Sequence, residues 1–126
     1  MKAKDRRLAE LRTAIREVTP REALALQAQG AALIDVREAD EIAQGSPVGG
    51  HRLGRGFLEL KIEDAVPDFE RPLVVMCNSG ARSLFAAEDL KRLGYRKLFN
   101  MAGGYTRWKN EGLPVEVPIG GTGMRR

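Results

Sequence analysis

The sequence predicts an α/β domain with a central, mostly parallel sheet flanked by helices. Three short, largely apolar segments are predicted to be strands, and segments with helical spacing separate them. The second of these segments is continuously apolar, as a strand buried on both faces should be. The predicted strands are 31–36, 73–76 and 97–101. Alternating strands and helices are typical of a parallel sheet covered by helices. With 126 residues, the chain has the length of one domain.

An amphipathic helix is predicted over residues 5–18, where Leu8, Leu11, Ile15 and Val18 recur at helical spacing. This helix is expected to dock either on the domain or on a second subunit. The sequence therefore divides into an N-terminal helical extension (1–17), a folded domain (18–117) and a flexible tail (118–126).

Capping signals mark the remaining helices. Thr19-Pro20-Arg21-Glu22 is a capping box with proline at the first helical position, and Gly30 is a favoured C-terminal cap for the helix that it begins. The stretch from Gly45 to Gly56 contains five glycines and is expected to be a loop. Further helices are predicted over 37–44, 57–66, 83–93 and 105–112.

The net charge of +4 comes from the two ends of the chain. Residues 1–17 carry a net +3 and the last two residues add +2, so the rest of the chain has a net charge of −1. Nucleic-acid binding usually requires a basic face on the fold itself. The sequence therefore disfavours a nucleic-acid partner.

Other features indicate a cytoplasmic protein without a membrane partner. No apolar run approaches the roughly 20 residues that a membrane-spanning helix needs, and no apolar stretch follows the basic start. A single cysteine excludes an internal disulfide and suits a reducing compartment. No motif points to a metal ion or an organic cofactor.

The candidate site follows the second predicted strand. The strand Leu73–Met76 leads into a seven-residue segment and then a helix; the segment is Cys77, Asn78, Ser79, Gly80, Ala81, Arg82 and Ser83. A strand, a glycine-containing loop and a helix N-terminus direct backbone N–H groups toward an anion. These groups are expected to lower the pKa of Cys77 and hold it as a thiolate. The alternative, a small buried structural cysteine, does not explain the loop that follows it.

Three motifs together resemble the rhodanese (thiosulfate sulfurtransferase) family of single-domain proteins, over about residues 18–117. The loop 77–83 matches the family's C-x-x-G-x-R-S active loop, and residues 34–38 match its I-D-V-R-E signature. Residues 102–115 match A-G-G-[FY]-x-x-W followed by G-L-P-V. The resemblance implies a cysteine that takes a sulfane sulfur from a donor such as thiosulfate. The resulting persulfide then passes the sulfur to cyanide or a thiol.

The resemblance also implies roles for the loop residues. Cys77 is the nucleophile, and the N–H groups from Asn78 to Ser83 bind the thiolate and the persulfide. Arg82 is expected either to bind the donor's anionic end or to brace the loop through a carboxylate, for which Asp35 is a candidate. The favoured alternative is that Asp35 and Arg37 form a pair that stabilises the fold.

Several supporting residues have simpler interpretations. Ser79 and Ser83 are expected to cap a helix, and Gly103 and Gly104 to let their loop pass close to the site.

In the loop before the fourth helix, Arg52 and Arg55 are expected to attract anionic donors, unless Arg55 is only structural. Ser46 stands where the family usually has histidine, which bears on loop packing. His51 is expected to be an exposed loop residue, and Trp108 a core residue.

Three alternatives to the sulfurtransferase function are a cysteine phosphatase, a sulfur-relay or protein-interaction module and an inactive regulatory domain. Related cysteine phosphatases use C-x5-R, whereas four residues separate Cys77 from Arg82 here, and the smaller ring suits one sulfur better than a tetrahedral oxyanion. In a sulfur-relay or protein-interaction module, a partner protein accepts the sulfur and the N-terminal helix assists docking. An inactive regulatory domain is disfavoured by the intact cysteine.

Overall fold

The secondary structure of the computed structural model, which describes residues 1–118, alternates between strands and helices. The helices are α1 (Ala3–Ala14), α2 (Pro20–Ala28), α3 (Ala39–Ala43), α4 (Leu58–Ala65), α5 (Arg82–Leu93) and α6 (Gly104–Asn110), with a 3₁₀ turn at Arg55–Phe57 before α4. The strands are β1 (Arg16–Val18), β2 (Ala32–Asp35), β3 (Ser46–Pro47), β4 (His51–Arg52), β5 (Leu73–Met76), β6 (Leu98–Met101) and β7 (Val115–Glu116).

The central sheet has five strands in the order β1-β6-β5-β2-β4, and every neighbouring pair is parallel. The predicted parallel α/β architecture is therefore confirmed. The carboxyl ends of all five strands meet at one edge of the sheet, where open α/β folds bind ligands. Because β5 is the central strand, the residue that follows it, Cys77, lies in the middle of this edge.

The core lies on both faces of this sheet. Along β5, Leu73 and Val75 pack into the layer beneath α1, α4 and α5, while Val74 and Met76 pack into the layer beneath α2 and α6. All four side chains are fully buried, which explains why the strand is continuously apolar in the sequence. Trp108 is fully buried in the second layer, as expected of a core residue, and its indole N–H donates to a backbone carbonyl.

The prediction of one helix through residue 18 is wrong. α1 ends at Ala14, Ile15 has extended backbone, and Arg16–Val18 is an edge strand paired with β6. Ile15 and Val18 are both buried, but they pack into opposite core layers. Their spacing of three residues therefore comes from the sheet rather than from a helix. α1 packs on α5 through Leu8 and Leu11.

The stretch 45–56 is not entirely a loop. β3 pairs antiparallel with β7, and β4 pairs parallel with β2. These two-residue strands form through tertiary pairing and carry no apolar run that the sequence could reveal. His51 consequently belongs to β4 and is half-buried, not an exposed loop residue. Of the predicted tail, residues 119–126 lie outside the described part of the chain.

Candidate active site

The sulfur of Cys77 lies inside a loop that closes over the end of β5. Cys77 is fully buried, whereas Asn78, Ser79 and Arg82 are exposed. The backbone N–H of Gly80 donates to Sγ at 3.1 Å. Gly80 has a φ of +106°, a conformation that other residues rarely adopt, and this turn directs its N–H back to the sulfur.

The loop lowers the pKa of Cys77. Burial raises the pKa of the thiol because it disfavours the charged form. Hydrogen bonds from the side chain and backbone of Ser83, and from the backbones of Gly80 and Ser79, outweigh that effect and bring the pKa below its ordinary value. The geometry therefore favours the thiolate, the nucleophilic form of cysteine.

Arg82 braces the loop from outside. It is the first residue of α5, and its guanidinium donates to both carboxylate oxygens of Glu41 in α3, at 2.8 and 2.9 Å. This pairing lowers the pKa of Glu41 to about 2 and raises the pKa of Arg82. The candidate pairing of Arg82 with Asp35 is therefore wrong, and the favoured alternative is confirmed, because the Asp35 carboxylate pairs with Arg37.

Asp35 and Arg37 form a buried ion pair below the loop. The Arg37 side chain donates to the two Asp35 carboxylate oxygens at 3.0 and 2.8 Å, and to the carbonyl of Gly45 at 2.7 Å. Ser46 is fully buried and donates to Asp35 at 2.8 Å. Ser46 thus satisfies a buried carboxylate, and its hydroxyl fits the packing of the loop where the family usually has histidine.

The first turn of α6 holds the backbone of the active loop. Tyr105 N–H donates to the carbonyl of Cys77 at 2.8 Å, and Thr106 N–H donates to that of Asn78 at 3.2 Å. A Cβ on Gly104 would lie 2.5 Å from the carbonyl oxygens of Cys77 and Asn78. The loop of Gly103 and Gly104 therefore passes close to the site, as expected. Gly104 makes the close approach to the active loop, and Gly103 is the residue before α6.

Arg52 and Arg55 are engaged with carboxylates. Arg52 pairs with Glu116, and Arg55 pairs with Asp89 and, at 2.9 Å, with Glu59. The expectation that these arginines attract anionic donors therefore gains no support, and the structural alternative for Arg55 fits better. Arg55 joins the turn before α4 to α5, the helix that begins at the active loop.

The capping role expected of Ser79 and Ser83 is wrong. The N-cap residue of α5 is Ala81, and no side chain caps this helix. Ser83 is fully buried, and its hydroxyl lies 3.4 Å from Cys77 Sγ and 2.5 Å from Asn100 Oδ1. Ser79 contributes its backbone N–H to Cys77 instead of its hydroxyl.

Three neighbours of the site were not anticipated from the sequence. Glu41 pairs with Arg82, Asn100 contacts Ser83, and Glu17 in β1 accepts a hydrogen bond from Asn100 at 2.8 Å. Asn100 had a detectable signal, because it is a polar residue between the apolar residues Phe99 and Met101 of the predicted strand. Glu17 and Glu41 had none, since acidic residues are common on exposed surfaces.

Residues 1–118 lack two further features, a membrane-spanning helix and a metal site. No helix there is long and apolar enough to cross a membrane. No group of three or more His, Cys, Asp or Glu side chains in this part of the chain has the arrangement of a metal site.

The fold and the site together define a class: a parallel α/β domain with a cysteine whose pKa is lowered by an amide-lined loop at a helix N-terminus. The family model of the rhodanese-like domain matches residues 19–111. The chain belongs to the rhodanese-like domain family.

Individual relatives share most of their length with this chain. Thiosulfate sulfurtransferase GlpE of Haemophilus influenzae is 33% identical over 103 residues, which cover 81% of this chain and 95% of the relative. The structure of a polysulfide-sulfur transferase homodimer from Wolinella succinogenes is 30% identical with a TM-score of 0.75, covering 90% of this chain and 87% of that one. A protein of unknown function from Rhodopseudomonas palustris, named a possible tyrosine phosphatase, is 26% identical with a TM-score of 0.82, covering 92% and 96%.

Proposed function

We propose that this protein is a sulfurtransferase that moves a sulfane sulfur from a small anionic donor such as thiosulfate to a thiol or cyanide. The observation that carries the proposal is the buried Cys77 sulfur, which receives the Gly80 N–H at 3.1 Å within a loop that lowers its pKa. Family membership and the relatives named for sulfur transfer support it.

Sulfur uptake requires one bond to form and one to break. The Cys77 thiolate attacks the outer sulfur of thiosulfate and forms an S–S bond. The bond between that sulfur and the sulfonate sulfur breaks, and sulfite leaves with the electron pair. The enzyme then carries a persulfide whose negative charge lies on the outer sulfur. Backbone N–H groups of the loop stabilise such an anion as an oxyanion hole stabilises oxygen.

Sulfur release reverses the roles. A thiolate or cyanide attacks the outer persulfide sulfur, and the S–S bond breaks with its electron pair returning to Cys77. The product is a persulfide or thiocyanate, and the thiolate is regenerated. Both steps use the anionic form of the attacking nucleophile, so neither of them transfers a proton.

The other residues of the site act on the loop. Asn78, Ser79, Gly80 and Ala81 shape its backbone, and Ser83 supplies a hydroxyl next to the sulfur. Arg82 braces the loop against α3 through Glu41. The other supporting residues hold neighbouring backbone in place: Asp35, Arg37, Arg55, Gly103 and Gly104.

The proposal also covers the cellular compartment and the partners of the protein. A thiolate that cycles through a persulfide suits a reducing compartment, so we place the protein in the cytoplasm, without a nucleic-acid or membrane partner. The acceptor is a small thiol or cyanide in the first instance. A partner protein as acceptor remains the alternative.

The test is to load the sulfur and then remove it. After incubation with thiosulfate, the intact mass is expected to rise by one sulfur atom on Cys77 and to return to its starting value on addition of cyanide. Cys77→Ser provides the matched control, since a serine hydroxyl stays protonated at neutral pH and forms no persulfide. Transfer activity in a folded Cys77→Ser protein, or no mass gain in the wild type, would contradict the proposal.

A further inference from the structure

Asn100 is a fully buried polar residue that contacts Ser83, the neighbour of Cys77. One end of its side chain lies 2.8 Å from a carboxylate oxygen of Glu17 and 3.2 Å from the carbonyl oxygen of Gly80. Carbonyl and carboxylate oxygens accept hydrogen bonds, so this end is the NH₂ group. The other end, Oδ1, therefore faces the Ser83 hydroxyl at 2.5 Å.

The Ser83 hydroxyl has one proton and two neighbours that accept it. Cys77 Sγ lies at 3.4 Å and Asn100 Oδ1 at 2.5 Å, and one O–H group donates to a single acceptor at a time. When the proton turns to the sulfur, the lone pairs of Ser83 face Asn100 Oδ1 at close range. The Cys77 thiolate and Asn100 thus compete for the same proton.

Among these contacts, the hydrogen bond from Ser83 to Asn100 is kept only when Sγ carries no charge, so it opposes the loop N–H groups, which favour the thiolate. In the thiol form, S–H donates to Ser83, Ser83 donates to Asn100, and Asn100 donates to Glu17, so that every donor has an acceptor. In the persulfide form the charge lies on the outer sulfur, and Ser83 again donates to Asn100. Only the bare thiolate requires Ser83 to turn away from Asn100.

We propose that Asn100 is a positioning residue for sulfur transfer: it retains the Ser83 proton and thereby favours sulfur uptake by Cys77 over the bare thiolate. The inference rests on the proposed function, because the favoured product is the persulfide. A thiolate with less hydrogen-bond support is also more nucleophilic toward sulfur. The Gly80 N–H still binds the sulfur, so Asn100 tunes the thiolate without removing it.

Charged groups surround the network on several elements. Arg82 in α5 is paired with Glu41 in α3, and the Asp35–Arg37 pair lies below Tyr105, whose N–H binds the Cys77 carbonyl. Glu17 in β1 reaches the network through Asn100. The substitutions used in the test are uncharged replacements of uncharged residues, so all of these charges remain in place.

The test is a double-mutant cycle on the alkylation of Cys77 by iodoacetamide as a function of pH. Cys77 is the chain's single cysteine, so no other thiol competes. Asn100→Leu keeps the side-chain shape and removes the acceptor. It is expected to lower the alkylation midpoint by about half a pH unit, the effect of one freed hydrogen bond. In the Ser83→Ala background this fall is expected to disappear, and any shift that is left there measures the loss of the hydrogen bonds from Asn100 to Glu17 and Gly80. Equal shifts in both backgrounds, or a raised midpoint, would overturn the inference.

The persulfide provides a second readout. The ratio of persulfide to thiolate is measured at a fixed ratio of thiosulfate to sulfite and at a pH above the alkylation midpoint. If the midpoint of Asn100→Leu is half a pH unit lower, this variant is expected to carry about threefold less persulfide relative to thiolate than the wild type. Because alkylation requires no sulfur transfer, the role of Asn100 and the proposed sulfurtransferase function can be contradicted independently of each other. A wild type that never loads sulfur contradicts the proposed function, while loading with no difference between wild type and Asn100→Leu contradicts this inference.

A measurement on the wild type covers the case in which Asn100→Leu does not fold. The side-chain amide signals of Asn100 are followed by NMR while Cys77 is titrated. The chemical shifts of these signals are expected to change with pH around the alkylation midpoint in the wild type. In Ser83→Ala this change is expected to be lost. Signals that stay fixed in the wild type, or that move equally in Ser83→Ala, would overturn the role of Asn100.

Discussion

The Arg37 guanidinium stacks on the ring of Tyr105, with Cζ 4.0 Å from the ring centroid. Arg37 is at the same time the partner of Asp35 in the buried ion pair, and the Tyr105 backbone N–H binds the Cys77 carbonyl at 2.8 Å. The ion pair thus supports the active loop through one aromatic ring. A buried ion pair that does not itself contact the sulfur can therefore influence the position of the nucleophile.

Removal of Arg37 is expected to destabilise the protein strongly. Arg37→Ala leaves the Asp35 carboxylate buried without its counter-charge, which costs about 3–5 kcal/mol in comparable pairs. Urea unfolding measures the loss. Arg55→Ala is the control, because Arg55 pairs with carboxylates in a partly exposed setting and its loss is expected to cost about 1 kcal/mol or less. A similar loss in both variants would contradict the buried pair's importance.

Alkylation of wild-type Cys77 is expected to follow a midpoint clearly below that of an ordinary thiol, which titrates near pH 8.5. The reason is the lowered pKa that the loop's hydrogen bonds produce. Because the folded pKa is depressed, the thiolate stabilises the fold above the unfolded pKa, and this contribution is lost as pH falls through the folded pKa. Urea-unfolded protein serves as the reference thiol. Identical midpoints in folded and unfolded protein would show that the loop does not bind an anion.

The brace between Arg82 and Glu41 is expected to persist in mild acid. Glu41 has a pKa of about 2, below its ordinary value, so the pair stabilises the fold above about pH 4.5 and loses this effect as pH falls toward 2. Both side chains are partly exposed, so the contribution is about 1 kcal/mol or less. The difference in unfolding free energy between wild type and Glu41→Gln, measured from pH 7 to pH 2, checks this. A difference that does not shrink in acid would contradict the assignment.

Loss of the brace is also expected to reduce catalysis. Arg82→Ala should lower kcat/KM by at least about tenfold, which corresponds to about 1.4 kcal/mol of transition-state stabilisation. Glu41→Gln separates two roles for the arginine. If Arg82 acts only by bracing, the two variants lose similar activity. If Glu41→Gln retains activity while Arg82→Ala does not, Arg82 contacts the donor itself.

Substitution of Gly104 is expected to distort the loop. Gly104→Ala places a Cβ 2.5 Å from two carbonyl oxygens and forces alanine into a φ of +58°, so both stability and transfer activity should fall. Gly56→Ala is the matched control, since a Cβ there meets nothing within 4 Å. The measurements are the melting temperature and the thiosulfate:cyanide rate. Equal behaviour of the two variants would show that the close approach is unimportant.

The sequence predicted those parts of the fold whose signals are local. β5 was apparent because a strand buried on both faces is continuously apolar, and β2 and β6 were apparent as short, largely apolar runs between helical segments. The active loop was apparent because its residues are consecutive. β1 was missed because three residues become a strand only by pairing with β6, over eighty positions away in the chain. The same limit applies to Arg82, whose partner Glu41 is 41 positions away. Several carboxylates in the sequence could pair with Arg82, and only the fold determines which of them lies within reach of it.

The edge strand β1 also determines where the chain can be shortened. Residues 16–18 pair with residues 99–101 of β6, and the Ala102 N–H donates to the Val18 carbonyl at 2.8 Å. A fragment beginning at residue 19, where the family match begins, would expose the backbone of β6 as a new sheet edge. Unprotected edges pair with other chains. Such a fragment would retain Cys77 and its loop, yet it would be prone to self-association.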